Sequence, residues 1–173
     1  MTITVRPEEA ADARRVSEVE RAAFGGPFEP ELVDTLRREA SPIVSLVASL
    51  GGEIVGHVFF SPVEIEVNPQ RHRFGALAPL AVDPPAQARG IGASLVREGL
   101  AACRRLGWKG VFLVGDPRYY GRFGFELAGP RGLRYGHPHF DAALQVIELE
   151  HGALGGCAGR VWYHPAFGQA DDA

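Results

Sequence analysis

The residues with the most legible chemistry run from Leu80 to Leu95, as Leu80-Ala81-Val82-Asp83-Pro84-Pro85-Ala86-Gln87-Ala88-Arg89-Gly90-Ile91-Gly92-Ala93-Ser94-Leu95. Ile91, Leu95, Val96, Leu100, Cys103 and Leu106 recur every three or four residues, so a helix is predicted to begin inside the glycine turn. Its first backbone N–H groups have no helical acceptor, and the helix dipole places partial positive charge beside them. Gly90 and Gly92 present no side chain there, which lets a pyrophosphate approach the backbone, and Arg89 adds a charge. The same glycines would also serve a plain strand-to-helix turn. Two common nucleotide sites are disfavoured: Leu95 stands where G-x-G-x-x-G needs its last glycine, and the chain has no Gly-Lys-Ser or Gly-Lys-Thr.

The pattern Gln87-x-x-Gly90-x-Gly92 resembles the cofactor motif of the GNAT superfamily of N-acetyltransferases: Gln or Arg, two residues, Gly, one residue, then Gly or Ala. The preceding Leu80-Ala81-Val82-Asp83-Pro84 and the later Tyr120-x-x-x-Gly124-Phe125 are similar to that family in order and spacing. The resemblance covers residues 1 to 127 in element order and 76 to 125 in motif detail. It implies acetyl-CoA as cosubstrate, with the pyrophosphate on the backbone of Gln87, Ala88, Arg89, Gly90, Ile91, Gly92 and Ala93. It further implies Leu80 N–H as oxyanion donor, Ala81 and Val82 backbone groups pairing the pantetheine amides, and Tyr120 as general acid. Many family members carry Asn near Asp116 to contact the pantetheine arm, so Asp116 is a departure at a cofactor-binding position. Pro79 supports the reading independently, because a proline within a strand that reads as central belongs at a bulge or where pairing is lost.

Acetyl transfer to an amine needs a neutral nucleophile, and an amine of pKa about 10.4 is neutral only on the order of one part in a thousand at pH 7. The departing thiolate, in turn, is helped by a weak acid near sulfur, which a tyrosine phenol supplies. Tyr119 competes with Tyr120, but neighbouring side chains on a short helix point about 100° apart, so one of the two faces the sulfur. Asp116-Pro117 reads as the N-cap and first residue of that helix. For the general base, Glu20, Glu29, His57, Glu64 and Glu66 are the candidates, with a water chain to solvent as the alternative; His57 interrupts the apolar run Val55 to Phe60. Cys103 lies on an apolar helical stripe and Cys157 in a glycine turn, so transfer is expected to be direct, in a ternary complex with a primary amine. A non-catalytic acyl-CoA-binding sensor is the alternative function.

Composition bounds the remaining classes. The chain has 173 residues, 46% hydrophobic and 23% charged, the profile of one globular domain spanning 1–173. Eighteen Lys and Arg against 21 Asp and Glu give a net charge of -3, which argues against a phosphate-backbone partner. Apolar runs fall far short of the roughly twenty residues of a membrane-spanning helix, and Met1 to Arg6 lacks the character of a secretory signal. A cytoplasmic monomer or homodimer is expected. Two cysteines are too few for a disulfide framework, and the histidines have no metal-site spacing, so no metal is expected.

These residues need a scaffold. Alternation at Met1 to Arg6 predicts a strand, and Pro7-Glu8-Glu9 a helix start running to Phe24, with a second helix over Glu29 to Ala40. Ile43 to Leu50, Gly51-Gly52 and Glu53 to Val67 read as an antiparallel hairpin. Phe74 to Val82, the helix from Gly90 to Leu106 and the strand from Gly110 to Gly115 make a β-α-β unit. Leu144 to Leu149 and Arg160 to Tyr163 are two late strands. The expected fold is mixed α/β: an open, mostly antiparallel sheet with a central parallel strand pair, splayed at the cofactor site by resemblance to the family, flanked by helices.

Overall fold

A computed structural model describes residues 2–169. It is mixed α/β, with a mostly antiparallel open sheet, a parallel strand pair at the predicted place and flanking helices. The chain divides into two compact units, residues 1–60 with 77–102, and residues 61–76 with 103–173.

In the first unit, strand β1 (Ile3–Pro7) pairs antiparallel with β2 (Val44–Leu50), and β2 pairs antiparallel with β3 (Glu53–Val67) across the Gly51-Gly52 turn. The predicted first strand begins at Met1, outside the described residues. Helices α1 (Ala13–Phe24) and α2 (Phe28–Glu39) follow β1. Pro7 ends the strand rather than opening the helix, because a 3-10 turn over Ala10–Asp12 intervenes. There Asp12 accepts from Glu9 N–H at 2.7 Å and from both terminal guanidinium nitrogens of Arg6, so the turn is tied to the strand before it. Val16, Val19, Leu32, Val33 and Leu36 fill the core side of the two helices. Helix α3 (Ile91–Arg105) starts against β3: a β-carbon on Gly56 would lie 2.9 Å from both Ile91 and Leu95 side chains, so only glycine admits the helix this close.

In the second unit, β4 (Phe74–Val82) begins parallel to β5 (Gly110–Val114), in a register from Phe74–Gly110 to Ala76–Phe112. The register is followed along β4 by Pro79, which has no N–H to extend a ladder. β8 (Leu144–Glu148) lies antiparallel to β5, and β6 (Glu126–Leu127) pairs antiparallel with β8. β9 (Ala158–Trp162) pairs antiparallel with the end of β3 and parallel with β7 (Leu133–Arg134). Phe74, Phe112, Leu133, Leu144, Val146 and Val161 form this unit's core. Two one-turn helices, α4 (Pro117–Tyr120) and α5 (Pro138–Asp141), lie in its connections. The two-residue strands β6 and β7 and helix α5 carried no periodic signal, being too short to show one.

Among the described residues no helix is long and apolar enough to cross a membrane.

Candidate functional site

In the first unit the end of β4 leads through Asp83 and a 3-10 turn (Pro84–Ala86) into α3. Asp83 is held from two sides. Its N–H donates to the Val55 carbonyl at 2.8 Å, and its carboxylate accepts from Arg15 of α1 at 3.1 Å. Gln87, the first motif residue, donates from Nε2 to the Val82 carbonyl at 3.0 Å. The side chain therefore ties the loop back to the strand it left, and the Val82 carbonyl is already engaged.

Two residues of the loop are left-handed: Gly90 at φ +83° and Ala88 at φ +62°. Glycine takes that conformation freely, whereas for alanine it costs about 1–2 kcal/mol. Ala88 was not legible as a special position, because nothing in a small apolar side chain marks a positive φ. Gln87, Ala88, Arg89 and Gly90 are exposed, and Ile91 is buried as the first apolar anchor of α3. The first bond of the helix runs from Ser94 N–H to the Gly90 carbonyl at 3.1 Å, so the N–H groups of Ile91, Gly92 and Ala93 precede the helical ladder. This stretch can receive an anion by backbone donors, the helix dipole and the neighbouring Arg89 charge. Leu80 and Val82 are half-buried and Ala81 is buried on β4.

In the second unit Asp116 caps α4 as expected: its carboxylate accepts from Arg118 N–H at 2.9 Å, and Pro117 occupies the first helical position. The same carboxylate pairs with the Arg118 guanidinium at 3.2 Å, which lowers its pKa. Tyr120 closes the turn, its N–H donating to the Asp116 carbonyl at 3.1 Å. Its ring stacks edge-on with Tyr119 at 4.9 Å and with Phe125 at 6.0 Å. Burial pushes the Tyr120 hydroxyl up to about 12, with the neighbouring Tyr119 adding to the shift. A phenol in that state keeps its proton throughout the neutral range and can only donate it. Tyr119 lies under the Arg122 guanidinium at 4.7 Å, so the two adjacent rings have different surroundings.

Of the five proposed bases, Glu64 and Glu66 are exposed on β3 and Glu29 is half-buried near the start of α2. Glu20 and His57 differ from these: both are fully buried in the first unit, with His57 Nδ1 2.6 Å from Glu20 Oε1. His57 is thus a buried, hydrogen-bonded histidine. Its other partners, Ser45 and Glu8, and the Arg37 that pairs with Glu8, are not legible as partners in the sequence, where Arg37-Arg38 reads as a solvated helix face and Glu8 as an acid of a first helical turn. With His57 they lie on four separate stretches of chain, and the visible clue is only that polar Ser45 and His57 interrupt apolar strands.

Both cysteines are free and buried. Burial pushes the Cys103 thiol up to about 12 and raises that of Cys157 as well, so neither is disposed to act as a thiolate. Among the described residues no group of three or more His, Cys, Asp or Glu is placed to hold a metal ion.

The family model for the acetyltransferase (GNAT) domain matches residues 4–128. The chain is 37% identical over 164 residues to the N-acetyltransferase YhbS of Escherichia coli strain K12, covering 94% of this chain and 97% of the relative. It is 38% identical over 131 residues to the N-acetyltransferase YjhQ of the same strain, covering 74% of this chain and 72% of that one. Among solved structures, Escherichia coli YhbS in complex with CoA superposes with a TM-score of 0.89 at 36% identity, over 96% of this chain and 92% of the other. A GNAT family acetyltransferase from Brucella melitensis in complex with acetyl-CoA gives 0.76 at 36% identity, over 96% and 98%.

Proposed function

Because the chain belongs to the GNAT acetyltransferase family, we propose that it moves an acetyl group from acetyl-CoA directly to a primary amine, with residues 1–173 acting as one catalytic domain. The observation that carries this reading is the start of α3, where Gln87 is tied to the strand end and the backbone donors of Ile91, Gly92 and Ala93 stand ahead of the first helical bond. The pyrophosphate is received by the backbone from Gln87 to Ala93, beside Arg89. In this reading Leu80 N–H stabilises the developing oxyanion, and backbone groups of Ala81 and Val82 pair the pantetheine amides. Gln87 already occupies the Val82 carbonyl, so in this reading Val82 serves the pantetheine through its N–H.

The neutral amine attacks the thioester carbonyl, the tetrahedral intermediate collapses, and the C–S bond breaks. Tyr120 donates its proton to the leaving thiolate, and the amine's proton passes to a base or to water. The hydroxyl, pushed up to about 12, carries its proton at the working pH and so has one to give, although as a weaker acid than the thiol it serves. Asp116 serves this scheme chiefly by capping the turn that carries Tyr120. The two high-pKa thiols support direct transfer over an acetyl-enzyme.

The test is a panel of primary amines, small molecules and lysine peptides, at fixed acetyl-CoA, read as released free thiol. Amine-dependent thiol release that a Gly92→Glu variant loses is expected. Tight acetyl-CoA binding with no release on any amine would favour a sensor instead.

A further inference from the structure

One cluster in the first unit, centred on the buried His57 and Glu20, is assigned no step in that scheme. His57 of β3 is fully buried, and both of its ring nitrogens face oxygen: Nδ1 lies 2.6 Å from Glu20 Oε1 of α1, and Nε2 lies 2.8 Å from Ser45 Oγ of β2 and 3.4 Å from Glu8 Oε2. The Ser45 hydroxyl stands between the two, 2.8 Å from His57 Nε2 and 3.0 Å from Glu8; when its single proton goes to Glu8, its oxygen accepts from His57 Nε2. Glu8 also accepts from Arg37 of α2, whose other side meets Asp34 at 2.7 Å. The second Glu20 oxygen is buried without a hydrogen-bond partner; burial raises the Glu20 pKa, opposed by the hydrogen bond and charge of His57 and the charge of Arg37 and reinforced by the charge of Glu29, so the carboxylate depends on a charged ring to stay ionised.

The spacing Ser–His–Glu resembles a hydrolase triad, but the proton bookkeeping is the reverse. A nucleophilic serine donates to its histidine. Here a second carboxylate, Glu8, stands behind the serine as an acceptor, so the ring lies between two carboxylates and, donating at both nitrogens, is an imidazolium in the arrangement we propose. Arg37, shared with the exposed Asp34, offsets Glu8 at the partly buried edge of the cluster, and His57 offsets Glu20 at its buried centre; taking the ring proton away leaves the Glu20 charge uncompensated inside the unit.

We propose that the His57 imidazolium is a pH-operated clasp, which holds the C-terminal half of α1 on β2 and β3 and releases it more readily once the ring loses its proton. Glu20 is the contact of α1 with the ring, whereas Arg15, near the other end of the helix, is anchored separately on the Ile54 carbonyl and Asp83 and does not titrate near neutrality. Opening is therefore local to the turns around Glu20. The hydrogen bonds to Glu20 and Glu8 outweigh the burial penalty and raise the His57 pKa from its usual 6.5. A histidine so raised stabilises the closed form fully below about pH 6.5, and the stabilisation is lost as pH rises through the folded-state pKa.

Amide hydrogen exchange of the intact protein, followed for residues 17–24 and corrected for base-catalysed intrinsic exchange, reads the opening constant directly. It should be flat just below pH 6.5 and then rise by up to about tenfold per pH unit until the ring has titrated. In parallel, ¹⁵N shifts of the His57 imidazole should show a doubly protonated ring at pH 7. A Glu20→Gln/His57→Gln double variant removes one charge of each sign, and its opening constant should not step with pH. A wild-type opening constant that stays flat from pH 6.5 to 9.5 overturns the clasp, as does a neutral ring at pH 6.5 or the same pH step in the folded double variant.

Discussion

The Tyr120 ring occupies the space that a side chain at Gly115 would need: a β-carbon there would lie 2.6 Å from the ring's Cε2. A glycine at the end of β5 is therefore what lets the one-turn helix fold its tyrosine back against the strand. Gly115→Ala should displace the ring, cost about 1–3 kcal/mol in a thermal or urea melt, and lower kcat more than it changes acetyl-CoA affinity. An unchanged melt and unchanged turnover would show that the ring moves aside freely.

Removing only the Tyr120 hydroxyl tests its chemistry. Tyr120→Phe keeps the edge-on contacts with Tyr119 and Phe125, so the fold and acetyl-CoA affinity should persist while kcat falls by about 10² to 10⁴. Tyr119→Phe, the matched control, should cost less than about tenfold. With its hydroxyl pushed up to about 12, Tyr120 stays protonated below that pH, so any alkaline fall in rate below pH 10 must come from another group. A Tyr120→Phe enzyme of normal kcat would remove the general-acid role.

The loop is tested at its glycines. Gly92→Glu and Gly90→Glu should each weaken acetyl-CoA binding more than tenfold by calorimetry, because a carboxylate would sit at the phosphate position. Gly90→Ala separates charge from strain: at φ +83° an alanine is strained, at about 1–2 kcal/mol of stability, yet a β-carbon there meets open space. Affinity equal to wild type in both glutamate variants would place the phosphates elsewhere.

Direct transfer predicts no acetyl adduct on either thiol. Cys103, pushed up to about 12 by burial, should resist both acetyl-CoA and iodoacetamide at pH 8 in the folded state. Intact mass spectrometry after mixing with acetyl-CoA provides the check, and a stoichiometric adduct on Cys103 or Cys157 that turns over with amine would replace the ternary mechanism.

Glu8 predicts an acid limb of stability. Burial alone would raise its pKa, but hydrogen bonds from His57 and Arg37 and their charges outweigh burial and hold it at about 2. A carboxylate lowered in the folded state stabilises above its unfolded value of about 4.5 and loses that contribution as pH falls towards 2, a difference of about 3 kcal/mol. Glu8→Gln should lose stability of that order at pH 7 and flatten the melt between pH 5 and 2. An acid limb identical to wild type would assign the dependence to other carboxylates.

Local signals in the chain were sufficient for the elements that position the loop. Helix α3 is legible because its apolar stripe runs four turns, and β2, β3 and the Gly51-Gly52 turn because alternation and turn chemistry are read within a few residues. The cap at Asp116 was equally local, since an N-cap acts on a donor two residues away. Only the tertiary structure decided that Gln87 spends its side chain on the Val82 carbonyl, that Ala88 is left-handed, and that Gly115 makes room for Tyr120. It alone assembled Glu8, Arg37 and Ser45 around the buried Glu20 and His57. Those residues come from α1, α2, β2, β3 and the loop after β1, and a single sequence carries period and propensity but no distances between such segments. A buried charge becomes visible only when its compensating partner, 37 residues away for Glu20 and His57, stands within hydrogen-bond reach.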